Sequence, residues 1–139
     1  MAKLFSENSL VIDSNVWVSA LVFGGNPRLV FEHCIKSGVI ISVCPELISE
    51  ARRIILKKFK SFTEDFEELV SVLEIRLNYV MLGSILVEVC RDDKDNYLIE
   101  TAIISKSRYL ISGDKDLLSL KKYKGIIFLS PADYLERLG

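Results

Sequence analysis

Histidine is almost missing from this chain: among 139 residues there is one, His33. That removes most of the material for a Ser-His-Asp or Cys-His mechanism, since both need an imidazole to carry the proton. His33 stands in Phe31-Glu32-His33-Cys34, inside a helical pattern, and reads as a partly exposed helix residue. Cysteine is scarce too. Cys34, Cys44 and Cys90 are odd in number, far apart and set among apolar neighbours. Such spacing excludes a zinc knuckle or a disulfide framework and points to reduced core thiols. No hydrophobic run is long enough to cross a bilayer, so no membrane span is expected. Met1 to Asn8 lacks the sustained apolar stretch of a signal peptide. These absences together point to a soluble, cytoplasmic protein. Neither sign of charge dominates. The formal net charge is −1, so any hold on nucleic acid would come from local patches.

What the chain has in quantity is apolar residues, half of the total, with charged residues at 27%. That balance can bury a core, and no linker-like or low-complexity stretch divides it. Residues 1–139 therefore read as a single domain. Leu10-Val11-Ile12 is a short unbroken apolar run, the mark of a strand buried on both faces. Asp13-Ser14-Asn15 ends it and opens a helix through Val22. Phe23-Gly24-Gly25 stops that helix. Asn26-Pro27 is read as the cap and first position of a second one, ending near Ser37-Gly38. Val39 to Val43 is β-branched and forms the second predicted strand.

After Cys44-Pro45 the apolar set Leu47, Ile48, Ala51, Ile54 and Ile55 recurs at helical spacing. Ser61-Phe62-Thr63 interrupts it, with Thr63 expected to cap a fourth helix that includes Phe66, Leu69, Val70, Leu73 and Leu77. Ile85 to Val89 reads as a third strand, followed by the charged loop Arg91 to Asn96 and a helix from about Tyr97 to Ser105. Tyr109 to Ser112 is the fourth strand. Gly113 to Asp116 is a tight turn before a short helix at Leu117-Leu118. Ile126 to Leu129 is the fifth strand, and Ser130-Pro131 cap a last helix to about Leu138. This alternation predicts an α/β fold: a mostly parallel central sheet of about five strands with helices on both faces.

In such a sheet every strand-to-helix exit lies on the carboxyl edge, where open α/β proteins place their chemistry. The exits are acidic. The first carries Asp13, and the helix after the second carries Glu50. The third carries Asp92, Asp93 and Asp95 with Asn96, and the fourth carries Asp114 and Asp116. Taken singly, each has a plainer explanation: a helix cap for Asp13, a surface pair with Arg53 for Glu50, a solvated loop for Asp92 to Asp95, a turn for Asp114. Taken together they put like charges in one cleft, where each raises its neighbours' pKa. A divalent cation removes the conflict, and an all-oxygen site suits Mg²⁺ or Mn²⁺ better than zinc. Such an ion supplies hydroxide near neutral pH and stabilises charge on a phosphoryl oxygen.

Four segments carry a family resemblance: Val11 to Ala20, Pro45 to Glu50, Arg91 to Ala102 and Tyr109 to Leu118. In these the chain resembles the PIN-domain nucleases, especially the toxin-like bacterial and archaeal branch to which VapC toxins belong. The resemblance spans nearly the whole chain, and its last two motifs are the most specific. It implies a three-layer α/β/α sandwich and Mg²⁺- or Mn²⁺-dependent endoribonuclease activity. By it, Asp13, Glu50, Asp95 and Asp114 are the catalytic acids. Asp13, Asp95 and Asp114 would hold the metal with help from Asp116, while Asn15, Asn96 and Ser112 orient them. In many members the third acid stands where this chain has Asn96, and here its neighbour Asp95 takes that part. Ser112 stands where many members have Thr.

Arg52, Arg53, Lys57 and Lys115 are candidates to hold an RNA backbone, the first three on a basic helix beside the site. Their alternative is an ordinary solvated face. Trp17 and Tyr97 are candidate stacking residues, with core packing the stronger expectation for Trp17. Phe23, Phe31, Phe59, Phe62 and Phe66 gather around the helical pair, and part of that set is a candidate docking surface. The resemblance makes a homodimer and an antitoxin protein the expected partners. Two rival readings remain. Asp13-Ser14-Asn15 with Gly113-Asp114 faintly resembles haloacid-dehalogenase-type phosphatases, but Asn15 replaces the acid expected there. The other rival is a non-catalytic PIN-like module that binds RNA or protein.

Overall fold

A computed structural model describes residues 6–83, 87–90 and 92–139. The first strand, β1 (Ser6–Ile12), leads directly into α1 (Ser14–Val22), with Asp13 as the cap between them. Leu10, Val11 and Ile12 are wholly buried, which is why the run carries no alternation of polar residues. Next come α2 (Gly25–Ser37), β2 (Ile40–Val43), α3 (Pro45–Lys58) and α4 (Thr63–Leu73). The chain continues through β3 (Leu77–Tyr79), α5 (Asp93–Ser105), β4 (Ser107–Ile111) and α6 (Lys115–Leu118). It ends with β5 (Lys122–Tyr123), β6 (Ile126–Leu129) and α7 (Pro131–Leu138).

The six strands lie in the order β3-β2-β1-β4-β6-β5. Every pairing is parallel except β5 with β6. From β1 the chain moves outward to β2 and β3, then returns across to β4 and β6. Right-handed crossovers running in opposite directions place their helices on opposite faces, which gives three layers. The reversal lies between β1 and β4. Their register, Val11 with Leu110 and Ile12 with Ile111, sets Asp13 beside Ser112 at the carboxyl edge. In open α/β sheets that crevice is the ligand site. The core under it is fixed by Trp17, which is fully buried with Phe31 at 4.8 Å and Phe66 at 6.4 Å between ring centroids. Burial of each large apolar side chain contributes about 1.5–3 kcal/mol.

The structure departs from the sequence pattern in five places. The third strand is Leu77–Tyr79, not Ile85 to Val89. Ser84 to Leu86 fall outside the described residues, and Val87 to Cys90 form no strand. Leu77 had looked like the last apolar position of α4. Instead a 3₁₀ turn at Glu74–Arg76 ends the helix and Leu77 pairs with Ile41. The second correction is a sixth strand, β5, too short for periodicity to reveal. It pairs with β6 across Lys124 and Gly125, whose φ of 49° and 86° match a tight hairpin turn. Third, α2 opens at Gly25 with Gly24 before it, so Asn26 and Pro27 lie within its first turn. Fourth, α5 opens at Asp93, a turn ahead of Tyr97, because the Asp92 carboxylate caps it by accepting from the Lys94 N–H. Fifth, Thr63 does not cap α4. It lies inside the helix, and its hydroxyl donates back to the Lys60 carbonyl.

Candidate active site

Asp13 is buried at the end of β1, with a relative exposure of 1%. Its Oδ1 accepts from the Asn15 N–H and the Ser14 hydroxyl, both at 3.3 Å. Its Oδ2 accepts from the Ser112 hydroxyl at 2.8 Å. The same Ser112 oxygen accepts the Asp114 N–H at 3.0 Å. One buried serine thus ties the ends of β1 and β4 together and sets two carboxylates with respect to each other. Asp114 in turn accepts from the Asp116 N–H at 2.8 Å and opens α6.

Asp95 arrives from the opposite layer, in the first turn of α5. It is buried, and its Oδ1 has no hydrogen-bond partner among the described residues. Burial, followed by the negative charges of Asp114, Asp13 and Asp92, pushes its pKa up to about 6; Lys94 opposes them weakly. A carboxylate with one buried, undonated oxygen and other carboxylates nearby is an unstable charge unless a cation joins it. Asp95 and Asp114 line one open cavity with Asp92, Asp93, Asp116 and Cys90. Asp114 and Asp13 line the adjoining one with Asn15. Asp13, Asp95 and Asp114 therefore lie along the crevice between β1 and β4, divided over two adjoining cavities that share Asp114.

Glu50 does not join them. Its carboxylate is bound by Arg53, three residues along α3, and it lines a separate cavity. Asn96 also differs from expectation: its amide grips a backbone, accepting from the Cys90 N–H and donating to the Cys90 carbonyl, both at 2.9 Å. Asn15 reaches Asp13 through its backbone N–H while its side chain stays exposed. Of the basic candidates, Arg52 is committed to α4. Its guanidinium forks onto Glu67 at 2.7 and 3.0 Å. Lys57 and Lys115 are exposed.

Cys90 was missed as a site residue. Cys34 and Cys44 are buried as expected, and burial lifts the Cys34 thiol to about 12. Cys90 instead sits half-buried on the acidic cavity, where burial and then Asp95, Asp114, Asp116 and Asp92 push its thiol pKa up. Its apolar neighbours in sequence gave no sign of this, because the helix that meets it comes later in the chain.

Among the described residues no three His, Cys, Asp or Glu side chains are gathered as closely as a metal's ligand shell. The donor set nonetheless fits a hard divalent ion. It is all oxygen, and Asp95 offers a buried lone pair that nothing satisfies.

A family model described as PIN domain matches residues 9–116. The chain belongs to the PIN domain family. The matched span runs from β1 through Asp116 and so includes all of the acids above. This PIN domain is 28% identical over 116 residues to Uncharacterized protein MJ1680 of Methanocaldococcus jannaschii, covering 81% of this chain and 74% of that protein. Its fold is similar to that of a chain in the crystal structure of VapBC2 from Rickettsia felis bound to a DNA fragment from their promoter. There the TM-score is 0.58 at 12% identity, over 86% of this chain and 96% of the other.

Proposed function

We propose that this PIN domain is a metal-dependent endoribonuclease that hydrolyses RNA phosphodiester bonds with Mg²⁺ or Mn²⁺. The observation that carries the reading is Asp95: a buried carboxylate with an unsatisfied oxygen, raised in pKa by burial and then by Asp114 and Asp13, at the switch point of the sheet. Asp13, Asp95 and Asp114 would hold the ion, with Asp116 at the mouth. When bound, a divalent ion supplies a water-derived nucleophile near neutral pH and a charge partner for the phosphoryl oxygen. The chain's own residues do the positioning. Ser112 holds the Asp13 carboxylate by its Oδ2, and the Asn15 N–H and Ser14 hydroxyl hold its Oδ1. Burial excludes competing water from Asp13 and Asp95. Glu50, gripped by Arg53, serves at the flank of the site. Family membership leaves the phosphatase alternative without support, and Asn15 still lacks the acid that chemistry needs.

The role as a toxin follows from the resemblance to VapC proteins. With it come an antitoxin partner and a homodimer. Phe23, which packs on Phe59 yet is 73% exposed, offers an apolar contact for such a partner. Among the described residues no helix is long and apolar enough to cross a membrane. The test is cleavage of a labelled single-stranded RNA with Mg²⁺ or Mn²⁺, with EDTA and with Asp114→Asn. The reading expects cleavage that EDTA stops and the substitution lowers by at least about a hundredfold. Cleavage at parent rate by Asp114→Asn, or in EDTA, would contradict it.

A further inference from the structure

Beside the acidic crevice lies a smaller cavity of about 260 Å³, between α3 and α5. Ser14, Glu50, Arg53, Lys94 and Tyr97 are among the residues that line it. Its position follows from helix geometry. On α5, residues 94, 97 and 98 share one face, while Asp95 turns to the next. One helical turn therefore serves two sites, carboxylate into the crevice and aromatic ring into the pocket. Ser14 joins them, since it lines the pocket while its hydroxyl bonds Asp13.

We propose that this pocket receives one unpaired nucleobase of the RNA strand adjacent to the bond being cut. The inference rests on the nuclease reading for its substrate class. Tyr97 is a large aromatic residue left 42% exposed one turn into α5. Its face is a stacking platform, and stacking tolerates any base. Arg53 and Lys94 line the pocket with Glu46 and Glu50; Arg53 is paired to Glu50, so of the two Lys94 is the cation left to meet a phosphate. The amino-terminal ends of α3 and α5 meet there and add to that charge. Together they suit a ligand that couples a flat ring to a phosphate. The volume lies below the usual range for drug-sized ligands and suits a single ring system. Stacking on Tyr97 is stronger for a purine than for uracil, so adenine is the better occupant. A base inside a duplex cannot reach such a pocket, which makes single-stranded or looped RNA the substrate.

The experiment uses fluorescent single-stranded oligoadenylate and oligouridylate, and the same strands with one abasic position, on the Asp114→Asn protein, read by anisotropy. Adenosine and uridine monophosphates are titrated in parallel and followed by NMR. Oligoadenylate should bind more tightly than oligouridylate. Either Tyr97→Ala or the best-placed abasic site should weaken binding about tenfold, the two together should cost no more than one, and Tyr97→Phe should retain affinity. Unchanged affinity in Tyr97→Ala, or losses that add, overturns the pocket. If the Tyr97→Ala change in an otherwise native protein also leaves RNA cleavage intact, the nuclease reading stands without the pocket. Adenosine monophosphate bound at Tyr97 by a protein that cleaves no RNA keeps the pocket and overturns the nuclease. A cavity that accepts only a partner protein's side chain, and neither probe, overturns the proposal.

Discussion

Ser112 holds more of the site than its size suggests. Its hydroxyl is buried, donates to Asp13 and accepts from the Asp114 backbone, so one atom couples two strands. Ser112→Ala would leave a buried carboxylate oxygen without its donor, a loss of about 1–3 kcal/mol. We expect RNA cleavage to fall about tenfold or more and Tm to drop, while Ser112→Thr keeps both near parent values. Thermal melts and single-turnover cleavage of the two variants check this. Asp95 gives the second residue-level prediction. Its folded pKa is raised from 3.8 to about 6. The folded state therefore binds its proton more tightly than the unfolded chain. Stability from this group is present below pH 4 and is lost as pH rises through about 6. Asp95→Asn should therefore raise metal-free stability at pH 8, by at most about 3 kcal/mol, and flatten its fall between pH 4 and 7. Urea melts across that range measure it. An Asp95→Asn protein no more stable than the parent at pH 8 would show that the carboxylate is not strained.

At the level of elements, α5 organises the crevice. Its first turn places Asp95 on the acidic cavity, and the start of its second places Tyr97 on the neighbouring pocket. Asn96 grips Cys90 through both polar groups of the Cys90 backbone. Asn96→Ala should free that wall of the cavity. Alkylation of Cys90 by iodoacetamide at fixed pH should then speed up severalfold, with Cys34 and Cys44 still protected by burial. An unchanged rate would mean that the wall is held by other contacts. The elements that sequence revealed best were those with strong, uninterrupted patterns. α1 and β6 lie where their apolar residues and caps predicted, because burial and capping act locally. β3 was misplaced because three residues cannot show a period, and its pairing with β2 is decided by distant residues. The start of α5 was hidden because Asp92 and Asp93 read equally well as loop and as the acidic first turn of a helix.

For the molecule as a whole, the deciding feature is the reversal of strand order between β1 and β4. It brings residues nearly a hundred positions apart into one crevice, as the bond from Ser112 to Asp13 records. Sequence could show that acids sit at four exits. It could not show which exits are adjacent, since that depends on strand order. Asp13, Asp95 and Asp114 line the crevice, whereas Glu50, although the exit of β2 adjoins that of β1, is held by Arg53. The same holds for the basic residues. Arg52 looked free in sequence and is bound to Glu67, a pair worth at most about 1 kcal/mol because both partners are half exposed. Arg52→Ala should leave RNA affinity unchanged within twofold. Lys115→Ala should weaken it evenly across sequences and lower the salt dependence by about one unit. Anisotropy titrations at several salt concentrations distinguish the two.

Asp13, Asp95 and Asp114 as one divalent-cation site is the proposal on which the nuclease function rests. Calorimetric titration of Mn²⁺ into the parent, Asp13→Asn, Asp95→Asn and Asp114→Asn proteins tests it most directly. The account predicts a saturable site in the folded parent, weakened at least tenfold by each substitution with the fold retained. Equal Mn²⁺ affinity in all four proteins, or none in any, would contradict it.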